Sequence, residues 1–484
     1  MKDLQPQEVF AIFEQITRVP RPSKHEEQIS QWLVDFAAAH QIECYRDEAM
    51  NVIMRAPATA GYEGKEGVIL QAHMDMVCEK NGDVEHNFMT DPIETYVDGD
   101  FLKARGTTLG GDDGIGIAMA LAVLTSKDIP HPAIECLFTV DEETGLTGAN
   151  LLKDGCLNGR RLINLDSEDD GQVFIGCAGG IDTLAKMHYS PVALPAGNWF
   201  AAHICVNGLM GGHSGDDINK GRANANKIVV EFLQTLYAET DVQLASIEGG
   251  NLRNAIAREA EAYICVPFAY KEQLRIAFNH YVAQAEEKFG AVEKDMHLEL
   301  ESAAIPESVI PADKAKTLIQ ALCDCPHGMI AMSKDMPGLV ETSTNLASIK
   351  MKSDEQGAYI EINTSQRSSV EADKHAIKDR VEAALRQACD EVTHGDGYPG
   401  WKPNVNSPLL DVTRKAYDTL FGEEPQVLAI HAGLECGLFL EKYPYLDMVS
   451  IGPQMYGVHS PQERLSISST QRCYAWLCET LKNL

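Results

Sequence analysis

The chain has 484 residues, enough for two or three domains at roughly 100–200 residues each, and its 44% apolar content excludes wholesale disorder. Lys and Arg number 41 against 71 Asp and Glu, a net charge of −30 that opposes contact with a phosphate backbone and excludes nucleic acid as a partner. The longest nearly apolar run, Gly114–Leu124, falls well short of the roughly 18 residues that span a bilayer, which excludes a membrane anchor of that kind.

The opening segment MKDLQPQEVF has neither the apolar stretch nor the cleavage site of a secretory signal. The 13 cysteines are odd in number and contain no Cys-x-x-Cys; Cys136, Cys205 and Cys265 lie in apolar, strand-like runs and read as small core residues in a reducing compartment. The chain therefore reads as a soluble, cytoplasmic protein. Ser23-Lys-His-Glu26 has the spacing of a capping box, and Ile29, Trp32, Leu33 and Phe36 follow as the stripe of an amphipathic helix. A short buried strand is predicted at Val68–Ala72, a buried helix opened by Gly114 at Ile115–Leu124, and further strands at Glu135–Val140 and Leu162–Leu165.

Beyond Pro191, Pro195 and Gly197 the pattern changes. Strands are predicted at Phe200–Val206, Ala260–Pro267, Met296–Glu301, Ala347–Lys352 and Ala358–Thr364, with helices at Ala223–Tyr237, Lys271–Phe289, Asp313–Cys323 and Ala372–Val392. A second breaker cluster, Gly395–Gly400, closes this stretch; a helix at Leu409–Leu420, a strand at Met448–Ile451 and a terminal helix from Ser469 follow. The fold class is α/β: a domain with a largely parallel sheet flanked by helices, made of residues 1–187 and 399–484 and interrupted by an inserted α+β domain, 188–398. A linear two-domain chain is the alternative, and the insertion follows if residues after 398 complete the site described next.

Five potential metal ligands each lie just after a strand or in a tight loop: His73, Asp112 in Gly110-Gly-Asp-Asp-Gly114, the Glu142-Glu143 pair, Asp166, and His459 in Tyr456-Gly-Val-His-Ser460. In open α/β sheets, ligands bind at the carboxyl ends of the strands, so residues distant in sequence can converge there. Imidazole and carboxylate donors suit zinc, cobalt or manganese. Two His and three carboxylates exceed the needs of one tetrahedral ion, and they suffice for two divalent ions if Asp112 bridges. Asp75, two residues past His73, is placed to hold the other ring nitrogen. Taken singly, each residue is also what an ordinary turn or solvated surface would show; the ordered set on successive strand units is what points to a metal centre.

Ala72-His-Met-Asp75 and Asp141-Glu-Glu-Thr-Gly145 resemble motifs of the metallopeptidase superfamily of carnosinases, aminoacylases and bacterial dipeptidases. Lys103–Gly110, Gly176–Ile181, Tyr398–Trp401 and His431–Gly437 bring the likeness closer to its dipeptidase branch, over nearly the whole chain. The resemblance implies hydrolysis of dipeptides, Xaa-His and more broadly, with Glu142 as general base and Glu143 as a metal ligand. It implies that Asp112 bridges, that Asp166 shares the ion held by His73, and that His459 shares the ion held by Glu143. It further implies that the insert is a lid carrying His213, in Gly211-Gly-His-Ser-Gly215, to stabilise the oxyanion, and Asn254 and Arg367 as clamps for the substrate carboxylate; a homodimer is implied as well. The sequence departs from the superfamily at Asp112-Asp-Gly114, where most members carry Asp-x-Lys-Gly and the branch often has Asn in place of Asp113. Asp141 stands where the branch can carry Thr.

Overall fold

The computed structural model describes Met1 and residues 3–484. The chain divides into two compact units, one of Met1–Cys177, Trp401–Ala429 and Leu434–Leu484, the other of Ala178–Gly400 with Ile430–Gly433. The chain passes into the second unit at Ala178 instead of near 188, because Gly179–Tyr189 is a strand of that unit and the Pro191–Gly197 breakers come after it.

The first unit is built on an eight-stranded sheet in the order Glu43–Arg46, Val52–Ala56, Ile134–Thr139, Val68–His73, Arg161–Asn164, Asp447–Ser450, Gln172–Cys177 and Gln426–Ile430. The four central strands, Ile134–Thr139 through Asp447–Ser450, run parallel, and antiparallel strands flank them. Ile134–Thr139 and Val68–His73 are buried at every position, as strands covered on both faces must be. Gly111–Thr125 forms the helix that follows the ligand loop. It is buried from Gly111 to Leu124, so its all-round apolarity is that of a core helix. Among the described residues, no helix is long and apolar enough to cross a membrane.

A small four-stranded sheet in the order Met455–Tyr456, Arg464–Ser466, Phe101–Ala104, Thr95–Asp98 does the long-range work. Arg464 pairs with Lys103, which lays the 457–463 turn beside the loop that leads into Asp112. Glu463 then grips that loop from its buried side: its carboxylate accepts from the backbone N–H groups of Leu109 (2.7 Å), Gly110 (3.1 Å) and Gly111 (2.7 Å). Arg21 grips it from another, donating to the carbonyls of Asp75 (2.8 Å), Met74 (3.2 Å) and Gly110. Gly110 takes φ 67° there, and a side chain at that position would collide with Arg21 and Met76.

The capping box predicted at Ser23 does not form. The helix spans Glu27–Ala39 without a side-chain cap, because both members are claimed elsewhere. The Ser23 hydroxyl donates to Asp75 Oδ2 at 2.8 Å, and Glu26 accepts from the backbone of Lys24 (2.8 Å) and Asp141 (3.0 Å).

The inserted unit is α+β. Its nine-stranded sheet runs His297–Ser302, Trp199–Asn207, Ala260–Pro267, Gln243–Gly249, Val340–Asp354, Gly357–Ser368, Gly179–Tyr189, Glu391–His394, with Gly328–Met332 also on Val340–Asp354. Phe232, Phe278, Leu318, Val381, Ile264 and Ile360 belong to its buried core. The helix predicted to run to Val392 stops at Leu385. The chain turns, and Glu391–His394 adds an edge strand in which Val392 pairs with Ala185, since β-branched Val392 and Thr393 suit a pleated strand.

Replacing Glu463 by Ala strands three buried N–H donors at once. We expect a stability loss of about 3 kcal/mol or more, read as a lower melting temperature, with Glu463→Gln recovering part of it.

Candidate metal centre

The parallel strands deliver the predicted ligands to one level. His73 ends its own strand, Glu142 and Glu143 follow Ile134–Thr139, and Asp166 follows Arg161–Asn164. The two carboxylate oxygens of Asp112 each face a different imidazole: Oδ1 lies 2.9 Å from His73 Nε2 and Oδ2 lies 3.1 Å from His459 Nε2. Asp166 Oδ1 is 3.3 Å from the same His73 nitrogen, and Glu143 is 3.0 Å from His459. One atom each of His73, Asp112 and Glu143 lie within 4.8 Å of one another. The five predicted ligands thus fall into a His73/Asp166 pair and a His459/Glu143 pair, with Asp112 between them.

Asp75 stands behind His73, with Oδ1 3.3 Å from Nδ1. Its carboxylate also accepts the backbone N–H of Glu142 (3.0 Å) and of Glu143 (3.3 Å). It therefore contacts the His73 ring and the backbone of the acid pair together. Asp141 holds the start of that pair in a left-handed turn at φ 49° and accepts the hydroxyls of Thr144 and Thr147. Asp113, fully buried, accepts Gly116 N–H at 3.0 Å, a helix-capping contact that an Asn oxygen would make equally well.

Electrostatics test whether these residues suit a cation. Burial pushes Asp166 up to about 7 against the pull of His73. It pushes Glu168, beside Asp112 and Asp166, and Glu435 each up to about 8. Burial raises Glu142 and Asp113 well above the usual carboxylate range, with Asp166 adding to both. Hydrogen bonds to Asp112 and Glu143 push His459 up to about 11. At His73 burial favours the neutral ring, yet Asp166, Asp112 and Asp75 outweigh it and raise the imidazole. So many buried acids around two imidazoles form a site in want of positive charge, and hard oxygen and imidazole donors at these separations suit divalent transition ions.

Glu168, Arg21 and Glu463 belong to this site and carry no motif; Glu435 also belongs to it, inside the His431–Gly437 segment, where the resemblance gave it no role. Arg21, between two prolines, had the nearest thing to a signal: a rigid segment presenting one charge.

The other three predicted residues lie in the inserted unit. His213 is half-buried, with its Nδ1 3.2 Å from Asp216 Oδ2. Its loop pairs with the one bearing Asn254, where Ser214 N–H donates to the Asn254 carbonyl at 2.8 Å. Asn254 itself is exposed. Arg367 is buried, pairs in register with Ser343, and donates to the Tyr398 hydroxyl at 3.3 Å. Ser343 in turn bonds His431 Nε2 at 2.7 Å, and burial beside Arg367 pushes that imidazole down to about 4. His213, Asp216, Arg367 and His431 thus belong to one polar neighbourhood of the inserted unit.

Comparison with known proteins places the chain in a family. Residues 69–483 match the description of peptidase family M20/M25/M40. The chain is 41% identical to the cytosol non-specific dipeptidase of Escherichia coli (strain K12), over 100% of this chain and 99% of that protein. The crystal structure of aminoacylhistidine dipeptidase from Vibrio alginolyticus superposes with a TM-score of 0.94 at 40% identity, covering 99% of this chain and 97% of that one. Aminopeptidase PepT from Bacillus cereus ATCC 10987 shares the fold, with a TM-score of 0.63 at 16% identity and 99% of both chains covered. With matches that run the length of both units, the chain belongs to peptidase family M20/M25/M40 and is a peptide hydrolase.

Proposed function

We propose that this chain is a cytoplasmic dipeptidase that works with two divalent metal ions, zinc in the first instance and cobalt or manganese as alternatives, and that it acts on Xaa-His and other dipeptides as a homodimer. The observation that carries the metal chemistry is Asp112, whose two oxygens face His73 and His459 separately at 2.9 and 3.1 Å. The dipeptide substrate is supported by the names of the two relatives near 40% identity.

His73 and Asp166 would hold one ion, Glu143 and His459 the other, and Asp112 both. When bound, such ions lower the pKa of water and polarise a carbonyl oxygen. The remaining work falls to the chain's own groups. Glu142 lies beside the ligands, and its burial raises its affinity for a proton. It takes the proton of the attacking water and delivers it to the departing amine. Asp75 keeps His73 in one orientation and fixes the backbone of Glu142, so base and ligand stay in register. We assign His213 to the developing oxyanion, and Arg367 and Asn254 to the substrate's terminal carboxylate. A buried guanidinium is suited to the last task, because its planar fork binds a carboxylate through two parallel hydrogen bonds. Recognition of a free carboxylate one residue beyond the scissile bond would confine the enzyme to short peptides.

Purified protein should contain about two transition-metal ions per chain by mass spectrometry and hydrolyse β-Ala-His and Gly-His. Chelation should abolish turnover, and zinc, cobalt or manganese should restore it. Stoichiometric metal with no dipeptide turnover would direct attention to acylated amino acids or longer peptides, and absence of both would refute the assignment. Glu142→Ala should keep its metal and lose roughly 10²–10⁴-fold in kcat; undiminished turnover would remove Glu142 as the base. Arg367→Ala should act chiefly on KM for dipeptides, raising it roughly tenfold or more, the value of one lost charge-assisted contact.

A further inference from the structure

Parallel strands buried on both faces are ordinarily apolar throughout. Here the four central strands are interrupted by polar side chains near the same level. Gln71 lies two residues before His73 and Asn164 two residues before Asp166, so each points to the same face as its ligand, one layer below. Gln71 stands opposite Asn164 in the register, and Asn164 opposite Ser450. Thr139, on the strand leading to Glu142, stands opposite His73. All four, with Glu435, are fully buried.

They form one continuous chain of hydrogen bonds. Ser450 Oγ donates to Asn164 Oδ1 at 2.5 Å, and Asn164 Nδ2 donates to Gln71 Oε1 at 2.6 Å. Gln71 Nε2 donates to Glu435 Oε2 at 2.6 Å, and Thr139 Oγ1 donates to the same oxygen at 2.8 Å. Ser167, the residue after Asp166, joins the far end through Ser450 at 2.8 Å. Glu435 enters from outside the sheet, immediately before helix Cys436–Lys442. Its second oxygen is buried with no hydrogen-bond partner among the described residues. A buried polar row of this kind is costly unless it is bonded from end to end, and once bonded it is stiff and directional.

We propose that Glu435, Gln71, Asn164, Thr139 and Ser450 are positioning residues: they form a layer under the metal ligands that sets the spacing of His73 and Asp166, and through it the affinity of one of the two metal positions. This rests on the dinuclear assignment above. The Asn164–Gln71 bond directly ties the strands that lead to Asp166 and His73, and Glu435 ties Gln71 to Thr139 on the strand that leads to Glu142. His459 reaches its half of the site from a turn and Glu143 from the helical turn Glu142–Gly145, outside the Gln71–Asn164 link. The layer therefore acts unequally on the two ions.

The test is a stepwise titration of metal-free protein with zinc and with cobalt, followed by calorimetry and the cobalt absorption spectrum, for the parent and for Gln71→Met, Glu435→Ala and Glu435→Gln. Circular dichroism and melting temperature serve as folding controls. In the parent we expect two binding steps; a parent that binds no ion refutes the dinuclear assignment and leaves the layer without an object. Gln71→Met, close in size and apolar, should weaken one step by roughly tenfold to a hundredfold and leave the other near its parental value, the usual effect of removing a group that orients a ligand. Glu435→Ala should also weaken binding, and Glu435→Gln, which keeps an acceptor for Thr139 and Gln71, should recover to within about threefold of the parent. In turnover, Gln71→Met at subsaturating metal should lose kcat with little change in KM. The proposal is overturned if folded Gln71→Met keeps both steps at parental affinity, or if both steps fall together with the melting temperature, which would be general loosening. Should Glu435→Ala fail to fold, Gln71→Met decides alone.

Discussion

Negative charge buried at the ends of parallel strands is the constraint around which the first unit is organised. Asp75, Asp112, Asp113, Asp166, Glu142, Glu143, Glu168 and Glu435 are drawn into one neighbourhood, and the cationic groups that reach it among the described residues are Arg21 and two imidazoles. Left to hydrophobic burial alone, a sheet would not collect such a group, since a carboxylate in a poorly solvated place is costly. The chain reduces that cost in two ways. Backbone N–H groups and hydroxyls bond the acids at the periphery, as Ser23, Thr144 and Thr147 do for Asp75 and Asp141. The acids at the centre face His73 and His459 across gaps of 2.9–3.3 Å, where a cation between them would balance their charge.

Convergence is achieved by few long-range contacts. Asp112 is fixed in a loop whose backbone is held by Glu463, 351 positions later, and by Arg21, 89 positions before Gly110. Glu463 also closes the turn that presents His459, its own N–H donating to the Ser460 carbonyl at 3.0 Å. Glu463 thus holds the Asp112 loop through its carboxylate and the His459 turn through its own backbone N–H.

What could be read from the amino-acid order was the part governed by local rules. His73, Glu142, Glu143 and Asp166 follow strands whose apolar runs are visible, and the fold rule for strand ends then places them together. Lys271–Phe289 and Ala260–Pro267 fall where periodicity puts them. The polar layer was illegible, because a Gln or an Asn within a buried strand carries no periodic signal and its partners lie on other strands. Glu463 was illegible for the same reason: among 71 acidic residues, nothing local distinguishes one that turns inward. Glu435 lay within the His431–Gly437 likeness, which marked the segment but not the inward turn of its carboxylate. The capping box at Ser23 failed in an instructive way. The local pattern was present, but the hydroxyl found a stronger acceptor in a carboxylate 52 residues away. Local propensity yields wherever a buried charge needs a donor.

Exposure is uneven across the five predicted ligands. The side chains of His73, Asp112, Asp166 and Glu143 are 1%, 9%, 8% and 6% exposed, while that of His459 is 48% exposed. His73 ends a sheet strand and Asp166 follows one, beside the bonded pair Gln71 and Asn164, while Asp112 lies at the start of helix Gly111–Thr125 and Glu143 in the helical turn Glu142–Gly145. His459 stands in a turn with φ 62°, after Gly457 at φ 64°, at the edge of the small sheet. Hydrolysis makes two demands on one site: fixed separation between the groups that share an ion, and an open side through which a peptide enters and two products leave. In this unit the sheet carries His73 at a strand end, and the exposed His459 stands on a turn outside it.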